Sequence, residues 1–100
     1  MKYYAVVEFT VTNPEWLPEY GVEVTKMVKK WDGKYLARTS ELEVIEGDIE
    51  PKTIAVIIEW PSKDAAISFY NSEEYKPFLD ARLAGSKGTF MLVAGKDDMA

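Results

Sequence analysis

Glu8, Glu59 and Arg38 are the side chains best suited to hold or move a proton in a sequence whose other basic residues are scattered lysines and Arg82. Glu8 and Glu59 occupy equivalent places near the carboxyl ends of two alternating stretches, 3–11 and 53–60. Read as parallel neighbours, these stretches put both carboxylates on one outer sheet face. Arg38 then comes close to Glu59 if the hairpin between them centres near Gly47 to Ile49. Two carboxylates held together push one pKa up, which suits proton transfer. Glu59 and Glu8 are therefore the catalytic candidates, with Glu59 the proton carrier. The plainer account is that Arg38 neutralises interface acids and fixes the register between subunits.

Tyr70, Tyr75 and Arg82 form a second group around a broken helical segment. Tyr75 and Arg82 are two turns apart on one helical face. With Arg38 they make a ligand-binding set for a small anionic or aromatic molecule, a guanidinium giving bidentate contacts. Ordinary amphipathic packing, with Arg82 paired to Glu74, Asp80 or a partner's acid, explains the same pattern.

Much other chemistry is excluded. The chain has no cysteine and no histidine, so nucleophilic triads, disulfides and a routine zinc site are absent. No cofactor and no metal is expected, since Asp97-Asp98 alone is a poor metal site. The glycines at 85, 88 and 95 open no helix after a strand and make no phosphate loop. A net charge of −5 argues against nucleic acid as a partner. The longest apolar runs, 54–58 and 90–94, are far shorter than the ~20 residues that span a bilayer. A cytoplasmic location is the default expectation, as the start shows no apolar block with a cleavage site.

One hundred residues, 47% of them apolar, predict a single domain over 1–95 with a frayed polar tail at 96–100. Alternation predicts a strand over 3–11. Asn13-Pro14 caps a helix whose inward stripe is Tyr20, Val24, Met27 or Val28, and Trp31, and which ends at Asp32-Gly33. Residues 34–39 and 43–46 read as a strand interrupted near Ser40, and 46–51 as a turn. Residues 53–60, dense in β-branched side chains, form the strongest strand. Ser62 caps a second helix, and Asn71-Ser72 breaks it. Ser72 caps a further segment that ends near Gly85, and residues 89–95 form the last strand. The order β-α-β-β-α-β implies a ferredoxin-like α+β fold: a four-stranded antiparallel sheet with helices on one face. Its helix-facing sets are Tyr3, Ala5, Val7 and Phe9, and Ile54, Val56, Ile58 and Trp60. The opposite face carries Tyr4, Val6, Ala55 and Ile57, with either Phe90 and Leu92 or Met91 and Val93. A solvated face should be mostly polar, so a homodimer is expected.

Tyr35-Leu36-Ala37-Arg38, Glu46-Gly47-Asp48, Ile58-Glu59-Trp60-Pro61-Ser62, Phe69 to Tyr75 and Arg82 resemble, in order, the family known as domain of unknown function 1330. The resemblance runs from Tyr4 to Gly95. It implies a dimeric α+β barrel of ferredoxin-like protomers joined through their sheets, in a superfamily that includes monooxygenases, chlorite dismutase-like haem proteins and muconolactone isomerase-like enzymes. The family implies no agreed activity, and the missing histidine removes the usual haem ligand. The combined reading is a small-molecule-binding or cofactor-independent enzyme domain, with its cleft near the dimer barrel. The rival reading is a structural or protein-interaction dimer module without catalysis.

Overall fold

The computed structural model describes residues 1–51 and 53–100. Its elements are β1 (Tyr3–Val11), a 3-10 turn (Pro14–Trp16), α1 (Leu17–Lys30), β2 (Lys34–Thr39), β3 (Thr53–Trp60), α2 (Lys63–Tyr70), α3 (Lys76–Gly85) and β4 (Ser86–Ala94). The strands form one sheet in the order β2-β3-β1-β4, every neighbouring pair antiparallel.

Alternation decides which face each strand buries. Ala5, Val7 and Phe9 of β1 meet Val56, Ile58 and Trp60 of β3 beneath Val24 and Val28 of α1, Phe69 of α2, and Tyr75 and Leu79. On β4 the residues turned to this core are Phe90 and Leu92, while Met91 and Val93 face outward. That settles the alternative left open by the sequence. On the outer face, the register sets Ala37, Ile57, Val6 and Met91 in one row across all four strands.

Local signals position the helices. The Asn13 side chain accepts a hydrogen bond from the Glu15 amide, capping the 3-10 turn, and α1 follows directly. Pro18 lies in the first turn of α1, where no amide hydrogen is needed, and so does not disturb it. Ser62 caps α2 through the Ala65 amide. Ser72 caps the turn ahead of α3 through the Tyr75 amide, and α3 itself starts four residues later than Ser72. The Gly85 carbonyl accepts from the Thr12 and Asn13 amides and from Trp16 Nε1, at 2.9, 3.1 and 3.1 Å. A Cβ at Gly85 would overlap Trp16, so only glycine fits there.

Two expectations are corrected. Residues 43–46 form no strand, because β2 ends at Thr39 opposite Ala55 and the residues beyond it have no partner strand. β4 starts at Ser86 rather than Thr89, since Ser86, Lys87 and Gly88 continue the ladder opposite Val11, Thr10 and Phe9. Gly88 allows this: a side chain there would collide with the Glu8 carbonyl.

Candidate functional site

The two glutamates do not form a pair. β1 and β3 run antiparallel, so Glu59 faces Tyr4 while Glu8 faces Ala55, about 13 Å away along the strand. The parity was read correctly and the direction was not. Glu59 instead forms an ion pair with Lys2 at 3.2 Å and lies opposite Lys34. Glu8 lines a shallow hollow with Asp48, Glu50 and Lys87 at the other end of the outer face.

Arg38 is displaced as well. A β-bulge at Leu36 shifts the β2 register between Tyr35 and Ala37, so Tyr35 opposes Ile58 and Arg38 opposes Val56. One extra residue thus turns Arg38 to the helix side, away from Glu59. Its guanidinium lies 3.9 Å from the centroid of the Tyr35 ring, and Nη1 donates to Thr25 Oγ1 of α1 at 2.6 Å.

Arg38 there borders a cavity of about 460 Å³ between α1 and the sheet. Val7, Phe9, Ile54, Val56, Ile58 and Phe90 form its floor, and Leu17, Gly21, Val24 and Val28 its roof. The exposed residues Arg38, Thr39 and Ser40 mark its mouth. Tyr20, Tyr35, Phe69 and Tyr75 complete the wall. No carboxylate is among the described residues that line it, and the cavity's volume suits a small organic molecule.

Tyr75 is fully buried in this wall, and its hydroxyl lies 2.6 Å from that of Tyr20. Arg82 sits behind the pair, only 6% exposed, close to both phenols and 5.8 Å from the Phe90 ring centroid. Tyr70 packs on Tyr75 and Phe90 at 6.0 and 5.2 Å and does not reach the cavity. Of the four residues in the sequence-derived ligand set, Arg38 and Tyr75 therefore line one cavity, and Arg82 and Tyr70 back it. Sequence reasoning missed Tyr20 and Tyr35 as wall residues. Their only signals were the inward stripe of α1 and the Tyr35–Arg38 spacing across the bulge.

Burial, followed by the neighbouring Tyr75, pushes the Tyr20 phenol far above its ordinary range. Burial raises Tyr35 too, against the opposing pull of Arg38. Both phenols hold their protons more tightly folded than unfolded. Their stabilising contribution is therefore complete below about pH 10 and is lost as pH rises toward the folded-state values. Denaturant midpoints should fall as pH rises above about 10, and Tyr20→Phe should flatten that slope; an unchanged slope in the variant would refute this assignment.

A four-stranded antiparallel sheet, helices on one face and a cavity under the first helix define an α+β protein of ferredoxin-like class. Within that class the chain belongs to the family Domain of unknown function (DUF1330), whose model matches residues 2–96. No curated protein matches the chain. Among solved structures it is similar to RPA0582, a protein of unknown function from Rhodopseudomonas palustris, at 16% identity and TM-score 0.78, over 96% of this chain and 83% of that one. It is also similar to SnoaB, a cofactor-independent oxygenase from Streptomyces nogalater, at 16% identity and TM-score 0.68, over 98% and 96% of the two chains.

Proposed function

We propose that the protein binds a small, mostly apolar organic molecule in the cavity under α1, and does so as a homodimer that closes its open sheet face into an α+β barrel. The observation that carries this reading is the cavity itself: about 460 Å³ of unfilled space in a domain of 100 residues. A mostly apolar cleft of this size, open at its mouth, leaves its lining against water unless a ligand covers it. Neither arginine near it forms an ion pair with a described residue. A pure interaction module would have filled the cavity with side chains and neutralised both. The dimer is supported by the Ala37–Ile57–Val6–Met91 row, with Ile57, Met91 and Val93 exposed at 36%, 54% and 44%. Oxygenation of the bound molecule by dioxygen, without a cofactor, is the activity that the likeness in fold to SnoaB favours.

The cavity reading is tested by NMR titration with two-ring aromatic compounds such as naphthalene. Shifts should concentrate on Val24, Ile54, Val56 and Tyr75. Val24→Phe, which fills the roof, should weaken binding about tenfold or more while the fold persists. Shifts scattered over the surface, or binding indifferent to Val24→Phe, would overturn the reading.

A further inference from the structure

Arg82 is a buried group that packing alone does not explain. A guanidinium taken out of water needs an opposite charge or a full set of acceptors. No carboxylate among the described residues forms an ion pair with it. Its Nε and Nη2 atoms are buried without a hydrogen-bond partner.

The neighbouring phenol oxygens can accept from the guanidinium, but they bring no charge to offset it. Tyr20 and Tyr75 bring two phenol hydrogens, and the bond between their hydroxyls uses one. The other is free to be given away. Tyr20 does not cancel the cation by ionising, because burial keeps its proton on. The cluster holds one positive charge, surplus donors and no anion. Both tyrosines stand in the cavity wall, and Phe90 serves both sites, as floor of the cavity and as the ring beneath Arg82. Arg38 makes no such demand, since it is exposed, donates to Thr25 and lies over Tyr35.

We propose that the Tyr20–Tyr75 hydroxyl pair, backed by Arg82, receives an ionised oxygen of the ligand, so that the occupant of the cavity is an aromatic molecule carrying one oxyanion. This rests on the cavity reading above and adds the charge and orientation of what binds. The apolar body lies between α1 and the sheet. The oxyanion accepts the free phenol hydrogen, and Arg82 acts as a positioning residue that supplies the compensating charge from behind.

The test compares 2-naphthoate with naphthalene at neutral pH, by calorimetry or fluorescence titration of the intact protein. The wild type should bind the naphthoate about tenfold or more tightly than the hydrocarbon. Tyr20→Phe and Tyr75→Phe, which keep ring volume, should each erase most of that preference while changing naphthalene binding by no more than about twofold. Arg38→Gln should leave the preference intact. Equal affinities in the wild type, or a preference that survives both phenylalanine variants, would overturn the inference and leave the cavity reading standing. A preference lost in Arg38→Gln instead would place the anion at the mouth and would equally overturn it. Binding of neither compound would remove the cavity reading and this inference together.

Discussion

Trp60→Ala should cost about 3–5 kcal/mol and lower the thermal midpoint by about 15 °C or more. Trp60 is wholly buried at the end of β3, with its ring 5.2 Å from that of Phe69, which in turn lies 4.4 Å from Tyr75. It also abuts Gly33, where an added Cβ would reach its ring at 2.8 Å. Removing the indole leaves a void that β3, α2 and the α1–β2 turn would have to collapse into together. A domain this small has only about 5–15 kcal/mol of stability in total, so the loss is a large share of it. The companion change Ile67→Ala, at a residue 40% exposed on α2, should shift the midpoint far less. A Trp60→Ala midpoint within a few degrees of wild type would show that this corner of the core is not as tightly packed as described.

The second large effect concerns association. If the open sheet face is the dimer contact, light scattering at micromolar concentration should give twice the chain's 11.4 kDa. Ile57→Lys should reduce this to one copy, or weaken association by about a hundredfold or more. Ile57 sits in the middle of the apolar row, with Val6 and Ala37 as its partners on either side. An ammonium there would have to lose its water against another apolar face with no acid in that row to meet it. A wild-type mass of one copy would remove the homodimer. A two-copy mass unchanged by Ile57→Lys would move the contact to another surface.

What could be read in advance follows from where the information lies. The extents of β1 and β3 were legible because period-two alternation and β-branched runs are local signals, and the caps at Asn13 and Ser62 are single-residue signals. The faces of β1 and β3 followed from parity, while those of β2 and β4 did not. The failures are all non-local. Glu8 and Glu59 share a face but not an end, because strand direction is set by the connections and not by the strands' own residues. The bulge at Leu36 has no mark in Tyr35-Leu36-Ala37-Arg38, yet it moves Arg38 across the sheet. The Tyr20–Tyr75 contact joins residues 55 positions apart. Arg82 was recognised as a candidate, but its burial without an acid was not foreseeable, since arginine on a helix stripe ordinarily keeps its head in water.

The carbonyl of Gly85 has a mechanical consequence. Three donors converge on it, two from the β1–α1 connection and one from Trp16, so the entry to α1 is pinned to the α3–β4 corner. The roof of the cavity is riveted at that end. A ligand of that space would enter on the other flank, where β2 gives way to the exposed acidic stretch after Ser40, so that the doorway would belong to the sheet's edge rather than to the helix.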